Sequence, residues 1–178
     1  LSQANIGLDM TLGMYNFDIT RKTLHVLPPH HTVGSTVNDV GHLSQGCEVY
    51  ISSGIKHVSD EIKEQQPTHL ILVPAFLEVM NRKIWATARK DGKESLLKAM
   101  VKVSNFLRKF GVDVRRKLFA SVLSAFGGKL ELISCGGAKL DEEIIRNFDA
   151  LGITILNGYG ITECAPLISA NRNKYQKP

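Results

Sequence analysis

The strongest constraint on this chain is the recurrence of short Val/Ile/Leu-rich runs between longer amphipathic stretches. Five runs have strand length: Leu24–Leu27, Cys47–Ile51, His69–Val73, Leu130–Ser134 and Ile153–Leu156. Most lack the apolar/polar alternation of a sheet wetted on one face. They therefore read as strands covered on both faces, as in parallel sheets. Between them, helical periodicity predicts helices over Thr32–Leu43, Val58–Glu64, Phe76–Ala88 and Asp141–Leu151. Pro67 stops one of these patterns, and Gly152 stands where a helix C-cap belongs. Such alternation predicts an α/β fold, a mostly parallel sheet flanked by helices.

Residues 82–129 break the rhythm. Leu96, Met100, Val103, Leu107 and Phe110 predict one apolar helix face. Phe119, Val122, Leu123 and Phe126 predict a second, closed by Gly127-Gly128. This reads as a helical insertion between two strands. It holds 13 Lys and Arg against Asp91, Glu94 and Asp113, a charge of +10 in a chain of net +5. Segregated basic charge points to an anionic partner: a membrane surface, nucleic acid, or the rest of a larger protein, with Arg115, Arg116 and Lys117 the residues a membrane contact would depend on. The plain alternative is a set of solvated helix faces. Nucleic acid is disfavoured, because Trp85, Phe106 and Phe110 follow helical core spacing instead of interleaving with basic residues on strands.

No apolar run approaches the ~18 residues of a membrane-spanning helix. Cys47, Cys135 and Cys164 lie far apart with no C-x-x-C pair, which fits reduced thiols in a cytoplasmic protein that its basic helices could hold at a membrane. His25, His42, His57 and His69 show no metal-ligand spacing and are expected at the surface or core edge; Cys164 is expected to be a small packed side chain. The chain begins without methionine and ends in a polar stretch, Asn171–Pro178, so it is expected to be an internal piece of a longer protein.

Two passages could carry chemistry. In Leu156-Asn157-Gly158-Tyr159-Gly160-Ile161-Thr162-Glu163, a buried strand ends in a glycine-flanked tyrosine followed by a hydroxyl and a carboxylate. Ligands of open α/β sheets bind beyond the carboxyl ends of the strands, where these groups would project. Tyr159 offers a flat face to a base, Thr162 a donor to phosphate, and Glu163 a hard oxygen ligand for Mg²⁺. A plain turn with a packed tyrosine is the competing reading. The second passage, Ser134-Cys135-Gly136-Gly137-Ala138-Lys139-Leu140, is a strand end entering a helix that Asp141 can cap.

Taken in this order, Gly-Gly-Ala and Tyr-Gly-x-Thr-Glu resemble the AMP-forming acyl-CoA synthetases of the adenylate-forming superfamily. Three further passages are similar to that family: Val26-Leu27-Pro28-Pro29-His30-His31, Gln66-Pro67-Thr68-His69 with Val73-Pro74, and Leu1-Ser2-Gln3-Ala4-Asn5-Ile6. The helical insertion resembles the long-chain fatty-acid branch. Lys139 departs from the family, which usually has proline there, and His30 offers a second imidazole beside His31.

The resemblance implies that residues 1–178 are the central part of an N-terminal adenylation domain, without ligase turnover alone. It implies ATP, Mg²⁺ and coenzyme A, with a long-chain fatty acid activated to an acyl-adenylate and then transferred to coenzyme A. By the same resemblance Tyr159 would stack on adenine, with Gly136, Gly137 and Ala138 lining that pocket. Asn157, Gly158 and Gly160 would form a floor shared by nucleotide and acyl chain. Thr162 would bind the α-phosphate, Glu163 would ligate Mg²⁺, and His31 would stand near the acyl carboxylate. Ligases for aryl or shorter acids, and a non-catalytic basic module, are the alternatives.

Overall fold

The computed structural model describes residues 2–16 and 21–172, side chains at 14–16 excepted. Leu1 of the N-terminal passage, and most of the polar C-terminal stretch, lie outside the described residues. Six strands form one sheet: β1 (Lys22–His25), β2 (Glu48–Ile51), β3 (His69–Leu72), β4 (Leu132–Gly136), β5 (Thr154–Gly160) and β6 (Leu167–Ala170). Their spatial order is β2-β1-β3-β4-β5-β6. The first five are mutually parallel, and β6 returns antiparallel beside β5. The predicted parallel α/β sheet is the observed one.

Helices cover both faces. On one lie α3 (Val58–Gln65), α4 (Pro74–Lys90), α5 (Glu94–Arg108), α6 (Arg115–Leu118), α7 (Ala120–Ser124) and α8 (Glu142–Leu151). Leu70 and Leu72 of β3 and Ile133 of β4 pack there with Ile62, Leu77 and Phe148. On the other face, Ile71, Leu132 and Leu156 meet Met10 of α1 (Gln3–Asn16) and Val37 of a π-helix, Gly34–Gly41, which runs into α2 (His42–Ser44). Adjacent residues of a strand thus enter different cores, which is why the strands read as continuously apolar.

The helix ends follow their sequence signals. Asp141 caps α8 by accepting from the Glu143 N–H at 2.8 Å, and Gly152 closes it in the left-handed region at φ +89°. α3 closes at Gln66 in the same region, immediately before Pro67.

Four expectations change. The apolar face of α4, carried by Leu77, Met80 and Ile84, extends that helix to Lys90, so the insertion starts after it and not at residue 82. In α5 and the turn after it, Leu97 and Ser104 are buried while Leu96, Val103, Phe106 and Phe110 are exposed: the apolar residues form two stripes, and one of them meets solvent. Arg115 and Arg116 are engaged internally. Arg115 Nη1 lies 2.9 Å from Asp149 Oδ1 and its Nη2 2.7 Å from Asp113 Oδ2; Arg116 donates to the carbonyls of Leu130 at 2.9 Å and Gly128 at 2.8 Å. These two arginines tie the insertion to the domain. Finally, β6 had no counterpart among the predicted strands.

Candidate functional site

A cavity of about 200 Å³ opens at the C-terminal ends of β3, β4 and β5, the crevice where open α/β sheets take ligands. Its walls are largely apolar, from Leu27, Val37, Ile71, Leu156 and Leu167. Polar groups enter from His31, Thr32, Ser134 and Thr162.

Six of the sequence-derived residues line this cavity: His31, Gly136, Gly137, Gly158, Gly160 and Thr162. His31, and not His30, stands on the wall. Its Nδ1 accepts from the Val33 N–H at 3.2 Å, which puts the proton of the neutral ring on Nε2 and leaves that atom as a donor. Thr162 Oγ1 lies 3.2 Å from Thr32 Oγ1, so two hydroxyls from residues far apart in sequence share one point of the rim. The glycines let backbones meet: a Cβ on Gly136 would stand 2.8 Å from the Gly158 carbonyl oxygen. Gly137, at φ +86°, turns the chain out of β4.

The remaining candidates lie off the cavity wall. β5 continues through Gly160, so the glycine-flanked tyrosine lies within the strand and not after it. Because side chains alternate along a strand, Asn157 and Tyr159 face away from the cavity that Leu156, Gly158 and Gly160 line. Tyr159 is 64 % exposed, its ring open to a planar partner. Ala138 is exposed beyond the end of β4, and Glu163 is exposed in the 3₁₀ turn Thr162–Cys164. The strand end therefore presents an apolar cavity on one face and an open aromatic ring on the other, with the Thr162 hydroxyl at the rim.

Histidine burial runs against expectation. His25, His42 and His69 are all buried; only His57 of the four is exposed. His25 Nδ1 lies 2.6 Å from Asp39 Oδ1. His42 and His69 are linked at 2.8 Å, and His69 Nε2 reaches Ser134 Oγ at 2.9 Å. Burial holds His42 below its ordinary range, and burial with the neighbouring His42 holds His69 well below it. The available signal was a histidine inside an otherwise apolar run. Cys164 is exposed instead of packed, whereas burial pushes the Cys135 thiol up to about 12, making it an inert part of the core.

The sequence matches the AMP-binding enzyme family over residues 1–178. The chain belongs to that family. It is 28% identical over 149 residues to the long-chain-fatty-acid–CoA ligase 5 of Rattus norvegicus, covering 80% of this chain and 22% of the relative. It is 31% identical over 129 residues to the long-chain-fatty-acid–CoA ligase 1 of Cavia porcellus, covering 68% of this chain and 18% of the relative. The chain thus spans about a fifth of the length of these curated relatives. Among solved structures, a malonyl-CoA ligase with methylmalonyl-CoA and AMP bound superimposes with a TM-score of 0.65 at 16% identity, covering 100% of this chain and 32% of that one. That likeness establishes the adenylate-forming fold.

For the Mg²⁺ that the family resemblance implies, the described residues contain no cluster of three or more His, Cys, Asp or Glu able to hold an ion. Mg²⁺ is ordinarily held by one or two carboxylates, its shell completed by water and phosphate oxygens. One exposed carboxylate, Glu163, next to the Thr162 hydroxyl fits an ion that arrives with a nucleotide.

Proposed function

We propose that this chain is the central part of the N-terminal adenylation domain of a long-chain fatty-acid–CoA ligase. The enzyme joins a fatty acid to AMP with release of pyrophosphate and then passes the acyl group to coenzyme A. One observation carries the reading: the apolar cavity and the open Tyr159 ring lie on opposite faces of one strand end, with Thr162 at the rim. An acyl chain enters the cavity while adenine stacks on Tyr159, against the Gly137-Ala138 turn. Asn157, Gly158 and Gly160 form the shared floor. Thr162 donates to the α-phosphate, where negative charge gathers in the transition state. Glu163 would hold Mg²⁺, which would supply positive charge against the phosphates, and the Nε2–H of His31 orients the carboxylate. The long-chain assignment draws on the relatives and on the apolar walls. A ligase for a shorter or aryl acid would keep the same chemistry with a different chain preference.

ATP–pyrophosphate exchange by the intact enzyme, across acids from acetate to palmitate plus benzoate, tests this. A maximum at long chains supports it. A maximum at acetate or benzoate replaces the substrate, and no exchange by folded protein overturns the ligase reading.

A second reading concerns location and rests on α5. Its exposed stripe, Leu96, Val103, Phe106 and Phe110, is bordered by Lys102 and Lys109. Apolar side chains beside lysines fit an anionic membrane surface. Among the described residues no helix is long and apolar enough to cross a membrane, so the contact would be peripheral.

A further inference from the structure

The cavity wall carries one polar atom that an alkyl chain does not need. Ser134, in the middle of β4, lines the cavity, and its Oγ lies 2.9 Å from His69 Nε2. His69 Nδ1 lies 2.8 Å from His42 Nε2, and His42 Nδ1 lies 3.1 Å from the Val37 carbonyl oxygen. The direction of this chain follows from its last member. A carbonyl oxygen only accepts, so His42 Nδ1 holds the proton. A neutral imidazole has one donor and one acceptor. His42 Nε2 therefore accepts from His69 Nδ1–H, and His69 Nε2 accepts from the Ser134 hydroxyl. The serine proton points into the protein, and its lone pairs are what remain for the cavity.

The same three residues have the outline of an activated serine nucleophile. That role requires His69 to take up a proton. His69 is fully buried, and it is oriented by a second imidazole where a carboxylate would stabilise the cation. Burial holds both rings in the neutral form, which keeps Ser134 an acceptor.

We propose that Ser134 determines substrate specificity by accepting a hydrogen bond from a hydroxyl carried on the chain of the acid, so that the preferred substrates are hydroxylated fatty acids. The inference rests on the cavity being the acyl site of the ligase proposed above. A plain alkyl chain covers the serine lone pairs and replaces the water that satisfied them with nothing, whereas a correctly placed hydroxyl restores the bond. The walls around Ser134, from Ile71 and Leu156, are apolar, so a hydroxyl elsewhere along the chain loses its own hydration without compensation. The preference is therefore positional.

The test uses the intact enzyme, ATP–pyrophosphate exchange, and monohydroxylated dodecanoic acids with the hydroxyl walked along the chain, each compared with dodecanoate. The expected result is one position favoured over dodecanoate in kcat/KM by on the order of tenfold. S134A should bring that ratio to about one, and S134T, which keeps the hydroxyl, should retain a preference. A ratio is used because a merely structural defect lowers both acids together. No favoured isomer, or a preference unchanged in S134A, overturns the inference and leaves the ligase reading intact. Exchange confined to short or aryl acids does the same. Exchange with no acid at all overturns both.

Discussion

A Cβ added at Gly160 would stand 1.8 Å from the carbonyl oxygen of Pro166, where the chain returns as β6. Two residues earlier, a Cβ at Gly158 would meet nothing nearer than Leu167 Cδ1 at 3.5 Å, an ordinary contact. The two glycines of one motif thus answer to different requirements. Gly160 is needed by the backbone, since the atom in the way is main chain and cannot swing aside. Gly158 is compatible with a side chain, and its absence keeps the cavity open. G160A should destabilise the fold by about 2–3 kcal/mol, read as a lower urea midpoint. G158A should change stability by less than about 1 kcal/mol while raising KM for the longest acids, because its methyl projects from the cavity wall.

This pair also marks how far the sequence could be read. The strand and the chemistry-bearing residues of its C-terminal part and beyond were legible from an apolar run followed by Gly-Tyr-Gly and Thr-Glu; its end was not, since β5 runs on through Gly160. The face that each residue takes was not, because it depends on how β5 sits between β4 and β6. β6 is four residues long, half-exposed and paired on one side only, so it lacks the apolar run that marks the inner strands. The buried histidines escaped for a different reason. For His42 and His69, burial is made tolerable by partners 27 and 65 residues away, which no local pattern contains. Along α5 and into the turn after it, Leu96, Val103 and Phe110 recur every seven residues, as do Met100 and Leu107. The periodicity merges the two sets, and only tertiary packing reveals that one of them faces water.

Thr162 shares its position with Thr32 at 3.2 Å, so its hydroxyl is held at the rim before any ligand arrives. Removing a donor aimed at developing phosphoryl charge costs on the order of 10²–10³-fold in turnover. T162A should show a loss of that size in ATP–pyrophosphate exchange, with little change in thermal stability because the residue is exposed. T32A should lose less, since it removes only the partner that orients Thr162.

The two linked histidines make stability depend on pH. Both are buried and titrate below the ordinary histidine value near 6.5, His69 well below it. Below about 6.5 the unfolded chain therefore takes up protons that the folded chain refuses. Stability is complete above that pH and falls as pH drops through it, by up to about 1.4 kcal/mol per unit for each histidine. Urea unfolding between pH 8 and 5 should show this decline. H69Q should flatten the slope even where its stability at pH 8 is lower.

Arg115 joins two residues far apart in the chain: Asp113 in the insertion, and Asp149 near the end of α8 through both its carboxylate at 2.9 Å and its carbonyl at 2.6 Å. Its side chain is mostly covered, so the pairs are less screened than surface pairs. R115A should cost about 1–3 kcal/mol and increase amide exchange across α6 and α8. R115K should recover only part of this, because an ammonium cannot span two acceptors as the guanidinium fork does. The pair also protects the Asp113 carboxyl, which Arg115 lowers to about 2. That contribution is present above the ordinary carboxylate range near 3.8 and disappears as pH falls toward 2.

The outer stripe of α5 tests where the protein works. Phe106 and Phe110 are 59 % and 70 % exposed, and their rings meet edge to face with centroids 5.1 Å apart. Such a pair on the surface leaves apolar area in water that a lipid interface would take up. With Arg115 and Arg116 engaged internally, exposed lysines remain to meet lipid headgroups, Lys117 among them, and Lys102 and Lys109 border the phenylalanines directly. Vesicles containing anionic lipid should therefore bind the intact enzyme in a salt-sensitive manner. F106S/F110S should weaken binding at every salt concentration, since it removes the inserted part, whereas K102E/K109E should weaken it chiefly at low salt. Both double variants should fold normally, because all four side chains are exposed. Binding that ignores both pairs would mean that the stripe packs against protein instead of lipid.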